Sequence, residues 1–417
     1  MVFASIDEML RQESGQVVAT LCRLTGSIDQ AEDAYAEAVV EALRRWPVDG
    51  IPERPGAWLT TVARRKAIDA LRRESSRCDR EAAAMSLLER DEPLSYNTIR
   101  DDQLRLIFTC CHPALAIESR VALALRVLCG LTTAEIAQAF LVPEQTMSKR
   151  ITRAKAKIST NRIPYRVPPD AELPARMSAV LAVISLVFTT GHHAPAGAAL
   201  MRVELAEEAI RLAHRLVDLM PDEPECLGLV ALLEATHARH STRVAADGSM
   251  VLLADADRSM WDHQAIDAAV ETLERALRRG QAGPYQLQAA ISCLHSVALD
   301  AASTDWKQIV QLYGLLQRLQ PSVAVQVNRA VAVAELDGPA AGLELLDAIV
   351  GANEWHFYHS ARADMLRRLG NVADATTAYK AALLCPHNQG EQRFLLGRIA
   401  EINGSTEQWA TQHPDPR

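Results

Sequence analysis

Leu131 to Ile158 reads LTTAEIAQAFLVPEQTMSKRITRAKAKI, the pattern of two short helices on either side of a tight turn. Thr132 or Thr133 is placed to cap the first helix, with Glu135 close enough to reach back to the free amides. Leu141-Val142-Pro143 turns the chain, and a second helix starts at Glu144. Within it Met147, Ile151, Ala154 and Ile158 recur at i, i+4, i+7 and i+11, which predicts one buried stripe. Gln145, Ser148, Lys149, Thr152 and Arg153 fall on the opposite face, flanked by Arg150, Lys155 and Lys157. This division suits a helix in a DNA major groove, where polar side chains near the N-terminus meet base edges and flanking cations hold phosphates. A solvated basic helix lying on a core has the same pattern, so the segment alone leaves both readings open.

Upstream the chain is helical as well. Glu13 to Thr25 has apolar residues at helical spacing, and a second helix restarts with Asp29 as the expected N-cap and Glu32 three positions on. Its stripe of Ala31, Ala34, Tyr35, Ala38, Ala42 and Trp46 leaves Glu32, Asp33, Glu37 and Glu41 outward. Pro47 to Arg54 reads as a loop, Pro55 suits a first helical turn, and Trp58 to Arg73 forms a third helix. The charged stretch Glu74 to Ser95 lacks a sustained apolar face and reads as a linker. Helical patterning resumes from Ile99 to Ile158 with a break near Cys111-His112-Pro113, and prolines 164, 168, 169 and 174 mark a second linker.

Composition agrees with an all-α chain. Hydrophobic residues make up 49% and aromatics only 5% of the 417 residues, and alternating β-branched runs are rare. The net charge of −8 is unequally spread: up to Arg166 there are 24 Lys and Arg against 22 Asp and Glu, beyond it 20 against 30. Basic residues bunch at Arg64, Arg65, Lys66, Arg72, Arg73, Arg77 and Arg80, and again from Lys149 to Arg166, as a phosphate backbone requires. The eight cysteines show no CxxC spacing and no signal peptide is recognised, so a reducing cytoplasm without disulfides is expected. The apolar run Met177 to Thr190 is too short to span a bilayer and reads as a buried helix, so no membrane partner is expected.

The C-terminal half reads as helical hairpins: Glu204 to Met220 with Glu225 to Arg239, then Asn328 to Leu336 with Ala340 to Val350. Ala363, Gly370, Ala375, Tyr379, Ala382 and Pro386 reproduce the spacing of a tetratricopeptide (TPR) repeat. Arg243 to Trp261 fits no repeat and is expected to be a long loop. The chain divides accordingly into 1–76, a linker 77–98, 99–162, a linker 163–175, and a TPR-like domain 176–417.

Glu135-Ile136-Ala137, Thr146, Arg150 and Arg153-Ala154 resemble region 4 of the extracytoplasmic-function sigma factors of RNA polymerase, with Leu141 where that family usually has Gly. Asp29 to Ala34 looks like the region 2.2 helix that docks on core polymerase, and AWLTTVARRKAIDALRR, Ala57 to Arg73, looks like regions 2.3 and 2.4. Ala36 and Arg65 depart from a common Gln and Asn there. Strings such as TCCHPAL (109–115), IPYRVP (163–168), MPDEPE (220–225), GPYQLQAAI (283–291) and NRAVAVAE (328–335) resemble a sigma subfamily with a long TPR-like extension.

The resemblance implies two small helical sigma domains, the second a helix-turn-helix, before the TPR-like domain. It implies an alternative sigma factor that binds core RNA polymerase and promoter DNA. The −35 element would be read by Gln145, Ser148, Lys149, Arg150, Thr152 and Arg153, and the −10 strand met by Arg64, Arg65, Lys66, Arg72 and Arg73. Trp58 is either core, the better reading of the sequence, or part of the strand-melting set. Val48 to Arg54 occupies the place where related factors catch a flipped base. Asp29, Glu32 and Asp33 would dock on the polymerase, and the TPR-like domain would act in cis or hold a protein or peptide partner. The alternative is a helix-turn-helix regulator that works without polymerase. No catalytic residue, cofactor or metal is expected: glycine phosphate loops, GxSxG and His-Glu metal motifs are missing from the sequence. Cys110-Cys111-His112 reads as structural, His192-His193 as a loop pair, and Asp255-Ala256-Asp257 as a solvated acidic turn.

Overall fold

Gly26 and Ser27 make the first corner of the chain. Helix α1 (Val2–Thr25) ends where Gly26 takes φ +69°, and Ser27 opens α2 (Ile28–Asp49) by accepting a hydrogen bond from the Gln30 amide at 3.4 Å. The cap therefore lies two residues ahead of the expected Asp29, which sits in the first turn. At its other end α2 runs through Pro47 and takes in the first residues of the expected loop, because the Gly50 amide still closes on the Trp46 carbonyl at 3.1 Å. The predicted stripe is buried at Ala31, Ala34, Ala38, Ala42 and Trp46, and α3 (Pro55–Glu74) starts on its proline as expected. The computed structural model describes residues 2–74, 96–140, 142–193, 201–385 and 387–412. Residues 77–95 of the expected linker therefore lie outside the described residues, as do Leu141 and Pro386.

Next come α4 (Tyr96–Cys110), α5 (Ile117–Leu123), one π-helical turn (Ala124–Leu128), α6 (Thr133–Ala139) and α7 (Glu144–Thr160). α1 packs against α2, α3, α4 and the π-helical turn. Gly15 is required at that last approach, since a Cβ there would lie 2.5 Å from the Leu128 carbonyl oxygen. Arg23 crosses from α1 to donate to the fully buried Asp102 carboxylate of α4 at 2.8 Å, and Arg105 approaches the same group at 3.4 Å.

The proline-rich stretch expected as the second linker is pinned down. Ile163 is buried, and the Tyr165 hydroxyl lies 2.7 Å from the Ala19 carbonyl oxygen and 3.0 Å from that of Asp102. It leads into α8 (Leu173–His192), where the Arg176 guanidinium donates to the Phe108 carbonyl at 2.7 Å. At 20 residues α8 is longer than the apolar run suggested; by length and composition alone it could cross a membrane, and half of its most apolar window is buried inside the protein. The chain forms two compact units, Met1–Val187 and Phe188–Arg417.

Within the second unit the helices are α9 (Val203–Leu219), α10 (Pro224–His237), α11 (His263–Leu277), α12 (Pro284–Val297), α13 (Trp306–Leu319), α14 (Val323–Asp337), α15 (Pro339–Asp347), α16 (His356–Arg368), α17 (Val372–Leu384) and α18 (Gln389–Gln412). α10 pairs with α12 and α11, α14 with α15, and α16 with α17. In that last hairpin Gly370 turns at φ +80°, while Ala363, Ala375, Ala382 and Tyr379 are buried in one cluster with Leu395 and Ile402 of α18. The TPR spacing thus does what small residues do at a helix crossing: it lets the backbones approach while the tyrosine fills the groove. Arg243 to Trp261 is an ordered loop, with an isolated antiparallel bridge between Val244 and Met250 and a 3-10 turn at Arg258–Met260. Arg258 donates to the His295 and Ala298 carbonyls and lies over the Trp261 ring at 4.8 Å.

Candidate nucleic-acid interface

The helix-turn-helix is built by short-range hydrogen bonds. Thr132 is the cap of α6: its amide donates to Glu135 Oε2 at 2.7 Å and its hydroxyl accepts from the Glu135 amide at 3.2 Å, a reciprocal capping box. The Val142 amide returns to the Ala137 carbonyl, and Pro143 starts α7 by accepting from Thr146 and Met147. Met147, Ile151 and Ala154 are buried and Ile158 half-buried, so the stripe faces inward as read. Gln145, Ser148, Lys149, Thr152 and Arg153 are exposed and Arg150 is half-buried. The α7 end is a Schellman motif: Ile163 donates to the Ile158 carbonyl, Arg162 to that of Ser159, and Arg162 takes φ +47°.

On α3 the basic side chains are graded in exposure. Arg65 and Arg72 are exposed, Arg64 and Lys66 half-buried, and the Arg73 side chain lies outside the described residues. Lys66 Nζ lies 3.2 Å from Glu37 Oε2 and Arg72 4.0 Å from Asp69. Trp58 is half-buried with its ring edge-on to Trp46 at 5.5 Å, which joins a core contact to a partly open face.

The acidic trio on α2 is split. Asp33 is exposed. Glu32 does not point outward as expected: its side chain is only 14% exposed, with Oε2 2.5 Å from Lys155 Nζ and Oε1 accepting from Arg126 Nε at 2.9 Å. Lys155 also donates to Asp29 Oδ1 at 2.7 Å. Asp29 and Glu32 stand three residues apart and so share the flank of α2 that meets α7, whereas Asp33 and the exposed Val40 lie on the free face, at whose edge Glu37 reaches Lys66. Burial alone would lower the Lys155 pKa; hydrogen bonds to Asp29 and Glu32 outweigh that and raise it. Lys155, assigned by the sequence to a phosphate-facing flank, is therefore an internal cation. Its position four residues after Ile151, beside the buried stripe, was the available signal.

The seven cysteines among the described residues are free and buried. Cys110 and Cys111 are buried thiols, pushed up by burial, Cys111 to about 12. His112 Nδ1 accepts from the Ala114 amide at 3.1 Å, so the side chain makes a turn.

Comparison with known proteins agrees with this geometry. Sigma-70 region 2 matches residues 9–77, and sigma-70 region 4 matches residues 105–158. A family of unknown function (DUF6596) matches residues 176–277. An uncharacterised protein of Rhizobium meliloti (strain 1021) is 40% identical over 404 residues, covering 95% of this chain and 96% of that protein. No solved structure matches. Two sigma-70 regions in order, each folded as helices, with a helical extension shared along nearly the whole relative, have one reading: the chain belongs to the sigma-70 family, as a non-enzymatic, extracytoplasmic-function-like sigma factor of transcription initiation with a C-terminal extension.

Proposed function

We propose that the chain docks on core RNA polymerase through the free face of α2, directs promoter-specific initiation, and is controlled in cis by its C-terminal unit. The observation that carries this reading is the exposed row Gln145, Ser148, Lys149, Thr152 and Arg153 on a helix whose stripe is buried within a capped helix-turn-helix. A helix held from behind with polar ends free is what major-groove readout at a −35 element needs. Arg64, Arg65, Lys66, Arg72, Arg73 and Trp58 supply the −10 strand contacts, with Arg65 and Arg72 the most accessible cations. The α2 free face combines Asp33 and Glu37 with exposed Val40 and Leu43, a mixed acidic and apolar surface suited to a protein partner. Glu32 is held by Lys155 and Arg126, which leaves Asp33 and the largely exposed Asp29 as the accessible acidic docking residues. The protein works in the cytoplasm, beside the polymerase, and the paired helices of the second unit form the surface for a protein or peptide.

The test is copurification with core polymerase followed by run-off transcription on a genomic fragment library. Retention on the core enzyme and discrete promoter-dependent transcripts are expected. DNA binding without any polymerase association would instead make the chain a helix-turn-helix regulator.

A further inference from the structure

We propose that His193, His356 and Glu391 form a binding site for one divalent first-row transition metal ion in the second compact unit. The three side chains come from distant places in the sequence: the residue just after α8, the first residue of α16, and the first turn of α18. Their ligand atoms lie within 4.8 Å of one another, the one such group among the described residues. Both imidazoles present Nε2 to the same carboxylate oxygen, Glu391 Oε1, His193 at 2.7 Å and His356 at 2.9 Å. An ion bonded to nitrogen and oxygen at about 2.0 to 2.2 Å sets its ligands roughly 3 to 3.5 Å apart, so a small expansion of this cluster places three ligands on one ion.

The carboxylate is aimed by a second layer. Its other oxygen, Oε2, accepts from the Asn388 amide at 2.8 Å, and the Glu391 amide donates to Asn388 Oδ1 at 2.9 Å. Asn388, itself buried, thus leaves Oε1 as the oxygen turned towards the two histidines, the outer-shell arrangement that fixes a metal ligand in one orientation. Glu391 and His356 are buried while His193 is partly open, so the site has an entry. His356 and Glu391 also line a cavity of about 770 Å³, which offers the remaining coordination positions to water or to an anionic ligand.

Two imidazoles with one carboxylate form a borderline donor set that takes zinc, cobalt or ferrous iron ahead of magnesium or calcium. Such an ion would fasten the start of the second unit to its last helix and make the stability of that unit depend on the metal.

The experiment uses the full chain, stripped with chelator and titrated with Zn²⁺ and Co²⁺. Expected are one ion per chain, a raised Tm, and Co²⁺ absorption bands of a low-symmetry nitrogen and oxygen site. His193→Ala, a partly exposed position, should lose that binding at unchanged helicity. Three results overturn the proposal: no ion bound by the stripped chain, an intense thiolate-to-cobalt band that assigns the ion to cysteine, or binding retained in His193→Ala. Should a variant fail to fold, stoichiometry and the Co²⁺ spectrum of the unaltered chain decide by themselves.

Discussion

Arg162 holds the left-handed position of the Schellman motif that ends α7, the one non-glycine residue at positive φ among the described residues. An L side chain there costs about 1 to 2 kcal/mol, part of which glycine returns as extra freedom of the unfolded chain. Arg162→Gly is therefore expected to raise stability by about 0.5 kcal/mol, read as a higher denaturant midpoint at unchanged slope. Lys149 and Arg153 belong to the exposed face instead; Lys149→Ala and Arg153→Ala should each lower promoter-directed run-off transcription by the equivalent of about 1 to 3 kcal/mol without moving that midpoint. Normal transcription by both variants would remove α7 from the readout. His192 gives a pH prediction. Burial pushes its pKa from 6.5 down to about 2, so below pH 6.5 the unfolded chain binds a proton that the folded chain refuses. Stability must then fall with falling pH, by about 2 kcal/mol for this residue between pH 7 and 5, and His192→Phe should flatten that slope. The sequence showed which α7 residues face out, because a period of 3.6 is written in local spacing. It read His192-His193 as a loop pair because the decisive partners of these rings come from elsewhere: His237 beside the first, in addition to Phe188 on its own helix, and Glu391 and His356 beside the second.

At the scale of elements, α2 has three faces and the sequence resolved two. The alanine stripe and the acidic row were legible; that one flank would pair with α7 was not, since Lys155 lies far along the chain from Asp29 and Glu32 and no periodicity links them. The consequence is experimental. Reversing Glu32 and Asp33 together would confuse docking with folding, because Glu32 is paired to two cations at low exposure. Glu32→Gln alone should destabilise the first unit by about 1 to 3 kcal/mol, the cost of leaving Lys155 and Arg126 with a neutral partner. Asp33→Lys, on the free face, should change stability by less than about 0.5 kcal/mol yet weaken the affinity for core polymerase. Unchanged affinity in a folded Asp33→Lys variant would move the docking surface off this face. Helix starts followed the same logic: Thr132 and Pro55 announce themselves by local chemistry, while Ser27 was passed over for Asp29 because both are good caps and only the position of Gly26 decides between them.

For the whole molecule, the question is where the DNA-reading part ends, and the structure moves that point. Prolines 164 to 174 suggested a free connector and hence a cut after Arg166 to release the first two domains. The compact unit instead extends to Val187, and Arg176 lies beyond the suggested cut with its guanidinium on the Phe108 carbonyl. A chain stopped at Arg166 leaves that carbonyl without its donor, a loss of about 1 to 3 kcal/mol from a unit whose total stability is on the order of 5 to 15 kcal/mol. Proline content marks where a helix cannot continue, but it says nothing of a tyrosine such as Tyr165 that anchors the strap by its hydroxyl. Fragment 1–193 should therefore unfold at a higher denaturant midpoint than fragment 1–166, and it is the one to use for cis control. If the second unit supports initiation, fragment 1–193 will keep its helicity and bind core polymerase but lose run-off transcription relative to the full chain. If that unit only restrains the factor, the same fragment will transcribe more. Transcription equal to that of the full chain, from a fragment shown to be folded, would leave the helical hairpins as an independent binding module with no part in initiation.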